Sequence, residues 1–383
     1  MVPACTLIRH HDREENNVSK TASEWLDGIR QIDLPDRVKI MNVCGGHERS
    51  ISSAGIRGAL PDQVELIPGP GCPVCICPEE DVYEAIHIAL GEDVTLVTFG
   101  DMLRVPVNVP RREIRSLEQA KAAGADIRPI ASPIEARDIA LQNPDRDVVF
   151  FAAGFETTMA PVAAMLCEGV PDNLFVLLSG RLTWPAVAML LESGDPGFDA
   201  LIAPGHVSTV MGPEEWEFVV NDHQLPAAVS GFTSESLLAG MYSVLRQLTE
   251  GKPFLDNCYP DVVRPKGNGS AKSHLDRAFQ VYDATWRGIG IIPGSGYGLR
   301  EAFAKNDARI RYPGYSDESR KRVGEMPQGC DCASVVLGKI YPNQCRIYGI
   351  ACKPRHPVGP CMVSEEGACR IWWASGVREQ DVA

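Results

Sequence analysis

The sequence predicts an α/β protein: two doubly wound, parallel-sheet domains followed by a small irregular C-terminal domain. Three observations predict it. Short apolar runs of strand length alternate with helical stretches through most of the chain, the pattern of a parallel sheet covered by helices. Glycines and polar residues follow those runs, at the carboxyl ends of strands where such sheets bind ligands. From Cys330 onward the chain carries six of its 13 cysteines, in a stretch rich in Gly and Pro. Loops of that composition wrap a metal centre more readily than they build a sheet.

Residues 1–36 read as a polar tail and a helix. The tail holds His10, His11, Asp12, Arg13, Glu14 and Glu15, with no signal-peptide apolar core. Residues 37–125 make the first α/β domain. Val38 to Val43 is a strand ending at Cys44, and Val64 to Ile67 is a second, running into Pro68-Gly69-Pro70-Gly71. Pro78-Glu79-Glu80-Asp81 opens a helix that reaches Leu90, because proline suits a first turn and acids suit its dipole. The strand Val94 to Phe99 ends at Gly100-Asp101. Residues 126–260 repeat the rhythm with strands at Val148–Ala153, Leu174–Leu178, Ala200–Ala203 and Ala227–Val229. Residues 261–383 are a return segment and the cysteine-rich domain.

Composition narrows the function. The 383 residues are 44% hydrophobic and 23% charged, ordinary for a globular chain. A net charge of -13 speaks against nucleic acid and against an anionic membrane surface as partners. No apolar run approaches the ~18 residues that span a bilayer. In a reducing cytoplasm, the expected location, clustered cysteines are ligands or redox groups rather than staples.

Three constellations carry chemistry. Cys44-Gly45-Gly46-His47-Glu48 places a thiol, an imidazole and a carboxylate within one turn of a strand end. That set suits a transition metal; it reads equally as a glycine-rich turn with an incidental cysteine. Cys72-Pro73-Val74-Cys75 is a C-x2-C closing onto a helix N-terminus, where dipole and amides favour thiolate. It suits a redox dithiol, or less often a tight turn with buried thiols; Cys77 either joins it or caps the helix. The last set, Cys332, Cys345, Cys352 and Cys369, is spaced C-x12-C-x6-C-x16-C. Zinc sites usually show paired knuckles, and here only Cys330 and Cys332 are close-paired, so an iron–sulfur cluster fits better. Cys330 and Cys361 are then left for a disulfide or a relay.

Other signals are weaker. Gly154-Phe155-Glu156-Thr157-Thr158 and Pro204-Gly205-His206-Val207-Ser208 either line a ligand cleft or cap helices. Pro293-Gly294-Ser295-Gly296-Tyr297-Gly298 lacks the Lys-Ser/Thr of a phosphate loop. His10, His11, His87, His223, His274 and His356 read as surface or core histidines, and Cys5, Cys167 and Cys258 as structural thiols.

Taken in order, the Cys-Gly-Gly-His-Glu turn, Gly69-Pro70-Gly71-Cys72-Pro73-Val74-Cys75, Thr98-Phe99-Gly100-Asp101, Gly154-Phe155-Glu156-Thr157-Thr158, Ala203-Pro204-Gly205-His206-Val207-Ser208, Trp286-Arg287-Gly288 and Ser364-Glu365-Glu366-Gly367-Ala368-Cys369 resemble the hydrogenase maturation factor HypD family. The likeness runs from about Val38 to Trp373. Arg49 stands where many members have a second histidine, Val107 where many have glycine, with Arg111-Arg112 after it, and Arg181 where a histidine is usual.

The resemblance implies a scaffold that assembles the Fe(CN)2CO unit of [NiFe]-hydrogenases with a small HypC-type chaperone. Cyanide is delivered through HypE and HypF. It implies that Cys44, His47, Glu48, Cys72 and Cys75 are the assembly-site residues, with Cys44 and His47 holding a transient iron. It also implies that Cys332, Cys345, Cys352 and Cys369 bind a [4Fe-4S] cluster. The chain then reads as a metal-cofactor assembly factor with redox activity. Two other functions stay open: a cluster-dependent thiol–disulfide reductase acting on a protein partner, and a two-domain binding protein stapled by zinc.

Overall fold

The computed structural model describes residues 20–110, 112–316 and 326–379. The expected tail, with Cys5, His10 and His11, lies outside the described residues, as does Arg111. Among the described residues the strands are, in chain order, β1 (Val38–Asn42), β2 (Val64–Pro68), β3 (Val94–Phe99), β4 (Ile127–Ile130), β5 (Asp147–Gly154), β6 (Leu174–Arg181), β7 (Ala200–Pro204), β8 (Ala227–Ser230), β9 (Leu255–Asn257), β10 (Phe279–Trp286) and β11 (Gly290–Leu299). No described helix is long and apolar enough to cross a membrane.

The strands form two sheets, both dominated by parallel pairing, so the α/β expectation holds. One has five strands in the order β2-β1-β7-β8-β9, with every described pairing parallel. The other has six, in the order β10-β11-β6-β5-β3-β4, parallel from β6 to β4 and closed by the antiparallel hairpin β10–β11. Nearly every residue of β5 and all of β6 are buried, as expected of central strands whose apolar runs do not alternate.

The expected contiguous domains give way to an interleaved chain. The first compact unit comprises residues 1–71, 187–268 and 335–341, the second residues 72–186, 269–334 and 342–383. The sheets explain the difference. β3 pairs with β5 rather than joining β1 and β2, and β7 returns to pair with β1. The β–α rhythm predicts each strand but carries no information on which neighbour it pairs with. The cysteine-rich segment is irregular, as expected, but it does not fold apart: most of it belongs to the second unit.

In the first unit, Ile40, Leu66, Ile202 and Ala228 of the sheet share a core with Ile29 of helix Ala22–Arg30 and with Leu237, Met241 and Val244 of helix Ser234–Glu250. Thr21 starts the shorter helix with a capping box, accepting from the Glu24 amide at 3.3 Å while its own amide donates to Glu24 at 2.7 Å.

Three strand regions escape the sequence pattern for physical reasons. β4 contains Arg128-Pro129, tolerable only because it is an edge strand. β9 has three residues. β11 includes the segment that resembled a phosphate loop. Its glycines serve close packing instead: a Cβ on Gly296 would lie 2.5 Å from that of Ala284 on β10.

Candidate functional site

In the first unit the order β2-β1-β7-β8 reverses between β1 and β7. Connections leaving these two strands therefore diverge, which opens a crevice at their carboxyl ends. Cys44 follows β1 and is the N-cap residue of helix Gly45–Ser53, although its side chain does not cap. It is half-buried. The loop after β2 closes over it: Gly45 donates to the Gly71 carbonyl at 3.2 Å, and a Cβ on Gly71 would lie 2.5 Å from the Cys44 Cα. Only glycine fits there.

His47, one turn on, is fully buried. Its Nε2 lies 3.0 Å from the Ser230 carbonyl at the end of β8. A carbonyl only accepts, so Nε2 carries the proton and Nδ1 carries the lone pair. Among the described residues that buried Nδ1 has no hydrogen-bond partner. Burial pushes the imidazole pKa down to about 4, an effect the Ser230 and Gly231 backbone only partly offsets. The ring is thus neutral at pH 7, with a lone pair available to a metal or a proton. Phe232 lies 4.8 Å from it, centroid to centroid, and stacks at 3.8 Å on His206, which is exposed and follows β7.

Glu48 does something else. It is buried and accepts from Asn42 Nδ2 at 2.9 Å and from Arg57 Nη2 at 3.0 Å. Its carboxylate ties the turn to β1 and to Arg57, which fixes the start of the helix. Arg49 is exposed on the same helix.

In the second unit Cys72 and Cys75 form a disulfide, with Cα atoms 5.3 Å apart. Cys72 caps a single helical turn, Pro73–Ile76, and its sulfur accepts from the Cys75 amide at 3.2 Å. The long helix starts only at Glu79, capped by Pro78. The dipole expected to act on the C-x2-C motif therefore acts beyond it. Arg287 fixes the turn, donating its amide to Ile76 at 2.9 Å and its guanidinium to Pro106 at 2.6 Å.

Cys77 neither caps the helix nor stands ready as a thiolate. Its sulfur lies 3.4 Å from the Ser179 hydroxyl, which donates to Asp81 at 2.6 Å. Burial, reinforced by Asp81, pushes the thiol up to about 12. Nearby Arg181 is buried and donates to the Thr285 carbonyl at 2.9 Å, a structural tie between β6 and β10.

The turn Pro73–Ile76 packs against the turn Pro360–Met362, which carries Cys361. There the C-terminal cysteines converge. The sulfurs of Cys332, Cys361 and Cys369 all lie within 4.8 Å of one another, and all three are buried. Cys330 donates to Cys332 at 3.3 Å. Backbone amides point at three of the sulfurs: Asp331 at Cys345, Val358 at Cys352 and Cys369 at Cys361, each at 3.4 Å. Gly359 is pressed against the nest, since a Cβ there would lie 2.5 Å from the sulfurs of both Cys330 and Cys332. Buried sulfurs facing amide donors form a donor set that fits a thiolate-held metal or cluster.

Of the expected ligands, Cys332 and Cys369 are in the tight trio. Cys361, expected as an accessory, completes it, while Cys345 and Cys352 stand in the same nest outside it. The sequence did not single out Ser230 or Phe232. Ser230-Gly231-Phe232 directly after the strand Ala227–Val229 was the available signal.

A family model described as "HypD: Hydrogenase formation hypA family" matches residues 20–376. A hydrogenase maturation factor HypD of Azotobacter vinelandii is 37% identical over 382 residues, covering 95% of this chain and 98% of its own length. Its counterpart in Escherichia coli is 36% identical over 379 residues, covering 98% and 96%. One from Rhodobacter capsulatus is 38% identical over 346 residues, covering 88% and 89%.

Proposed function

The chain belongs to the HypD hydrogenase-formation family, and on that premise we propose that it is a cytoplasmic maturation factor on which, with a small HypC-type chaperone, the Fe(CN)2CO unit of [NiFe]-hydrogenases is assembled. Cyanide arrives from HypE, supplied by HypF. The iron is substrate here, held by Cys44 and His47. The observation that carries the reading is a half-buried thiol one turn from a neutral, buried imidazole whose Nδ1 makes no hydrogen bond among the described residues. Soft thiolate and borderline imidazole suit iron bearing cyanide and carbon monoxide. The hydrogen bond from Nε2 to Ser230 orients the ring, as outer partners do for ligating histidines.

The Cys72–Cys75 pair supplies or takes up two electrons: breaking the S–S bond consumes two electrons and two protons and leaves two thiols. Cys77, held protonated, stays out of that exchange. Cys332, Cys361 and Cys369, with a fourth thiolate from Cys345 or Cys352, hold a [4Fe-4S] cluster, which when bound supplies single electrons. The amides on these sulfurs stabilise thiolate charge, and burial keeps water away.

The test is infrared spectroscopy of the anaerobically copurified complex with the chaperone. Cyanide and carbon monoxide stretches of bound iron are expected. A second reading, a cluster-dependent thiol–disulfide reductase, draws support from the disulfide packed against the Cys361 turn. Iron-replete complex without those bands, together with catalytic reduction of a protein disulfide, would replace the first reading by the second.

A further inference from the structure

The Pro204-Gly205-His206-Val207-Ser208 motif stands at the candidate iron site without a task there. It follows β7, which pairs in parallel with β1 on one side and β8 on the other. His206 therefore emerges at the same sheet edge as Cys44, after β1, and Ser230, at the end of β8.

Three contacts key His206 to that site. A Cβ on Gly205 would overlap the Ser230 carbonyl oxygen, the atom that His47 Nε2 meets at 3.0 Å. The turn that carries His206 is thus seated on the carbonyl that orients His47. Phe232 links the two rings. His206 stacks on it with centroids 3.8 Å and planes 28° apart, and His47 lies 4.8 Å from the same phenyl group. Gly46 closes the set: a Cβ there would lie 2.8 Å from Phe232 Cε1 and 3.5 Å from Cys44 Sγ. The thiol and the edge of the phenyl ring border one gap, which glycine leaves open.

The two imidazoles offer different things. His47 is buried, with Nε2 committed to Ser230. His206 is exposed, and among the described residues neither of its ring nitrogens has a hydrogen-bond partner. Stacking restrains the plane of the ring and leaves its edge, where both nitrogens lie, free. An imidazole keeps at least one N–H whether neutral or protonated, so the edge donates in either state. Such a donor tells diatomic ligands apart. Metal-bound cyanide concentrates negative charge on its nitrogen and accepts a strong hydrogen bond. The oxygen of bound carbon monoxide is nearly uncharged and accepts poorly.

We infer that His206 donates a hydrogen bond to a cyanide nitrogen of the iron unit held at Cys44 and His47, and so fixes which ligand faces the β7 side of the crevice. The inference rests on the assembly reading above. His206 is then a substrate-contacting, specificity-determining residue, and Phe232 is the positioning residue that holds its ring. No bond forms or breaks at His206; it sorts cyanide from carbon monoxide by acceptor strength alone.

The experiment is infrared spectroscopy of the full chain, copurified anaerobically with the chaperone, in water and in D2O. A hydrogen bond at nitrogen stiffens the C–N bond, so in the parent complex one cyanide stretch should shift on deuteration. His206→Phe keeps an aromatic ring on Phe232 and removes the donor. The same stretch should move to lower wavenumber and lose its deuterium shift, with the cyanide band area per iron unchanged. His206→Gln, which keeps an N–H, should retain a deuterium-sensitive stretch. A merely structural His206 would change the melting temperature and leave the band positions alone. Cyanide bands at parent positions, with the parent deuterium shift, in His206→Phe would overturn the inference. So would loss of all crevice iron from folded His206→Phe, which would make His206 an iron ligand instead. Parent complex replete in iron but without cyanide bands would fail at the earlier step, and would remove the assembly reading together with this one.

Discussion

Asp101 accepts a hydrogen bond from the Ser364 hydroxyl at 2.9 Å. The same carboxylate oxygen accepts from the Glu365 amide at 3.2 Å. Asp101, in the turn that follows β3, therefore holds the loop that delivers Cys369. Two motifs far apart in sequence, Thr98-Phe99-Gly100-Asp101 and Ser364-Glu365-Glu366-Gly367-Ala368-Cys369, form one device. Gly367 completes it, since a Cβ there would lie 2.2 Å from the Cys361 carbonyl.

Asp101→Ala should free that loop without unfolding the sheet. Hydrogen bonds to a charged acceptor contribute about 2 kcal/mol, lost locally here. Cys361 and Cys369 should then be alkylated several-fold faster in metal-free protein, while Cys77, elsewhere in the same unit, is unchanged. Asp101→Asn keeps an acceptor oxygen and should fall between. Equal labelling of the Asp101→Ala and parent proteins would show that the contact does not restrain the loop.

Cys361→Ala should lose bound iron as fully as Cys332→Ala and Cys369→Ala, because the three sulfurs form one trio. Cys330→Ala should retain it. Iron and acid-labile sulfide measured per chain decide the matter. Full iron content in Cys361→Ala would return the ligand set to Cys332, Cys345, Cys352 and Cys369.

The meeting of Cys361 with Cys332 and Cys369 shows where sequence stops being informative. Strands such as β3 and β5 are legible because apolar runs of that length have one economical burial, and strand-end chemistry follows from parallel topology. The position of Cys44 just after β1, with His47 in the helix that follows, was legible in that way. A loop-rich segment has no period, so spacing cannot tell which of six thiols meet. The partners of Glu48 were illegible for a similar reason: Arg57 and Asn42 lie outside the motif, and only the fold brings them to its carboxylate. Ser230 contributes a backbone carbonyl, which no side-chain pattern announces. The pairing of β1 with β7 is equally silent in the sequence, because a parallel strand can add at either edge.

Glu156 gives stability a pH slope. It is buried, and although Thr183 donates both its amide, at 2.6 Å, and its hydroxyl, at 2.7 Å, burial dominates and pushes the carboxyl up to about 7. The folded state thus holds a proton that the unfolded chain releases near its ordinary value of 4.5. Where the folded state binds more protons, stability falls as pH rises. The loss begins near pH 4.5, is complete just above pH 7, and amounts to roughly 3 kcal/mol. Glu156→Gln keeps the shape and should flatten that part of the curve in chemical denaturation between pH 5 and pH 8. An unchanged slope in the variant would assign the pH dependence to other groups.

Cys44 carries the most consequential prediction. Its side chain does not cap the helix that follows, and the turn around it is fixed by backbone and glycine contacts: Gly45 to Gly71, and Gly71 against the Cys44 backbone. Removing the sulfur leaves all of these in place, so Cys44→Ala should fold, keep its C-terminal iron and bind the chaperone. On the proposed assembly role, what it removes is the soft anionic ligand beside His47, and an imidazole alone does not retain iron bearing cyanide. The cyanide stretches in the infrared spectrum of the complex should vanish, and hydrogenase maturation with them. Cys72→Ala or Cys75→Ala should leave the C-terminal iron in place and abolish only the redox step. A structural role for Cys44 makes the opposite forecast: a loss of ~1–3 kcal/mol in stability, with the bands intact in the protein that remains folded. Cyanide bands of full intensity in folded Cys44→Ala would therefore move the iron to other ligands, and His47, with its unpartnered Nδ1, would be the first to examine by His47→Gln.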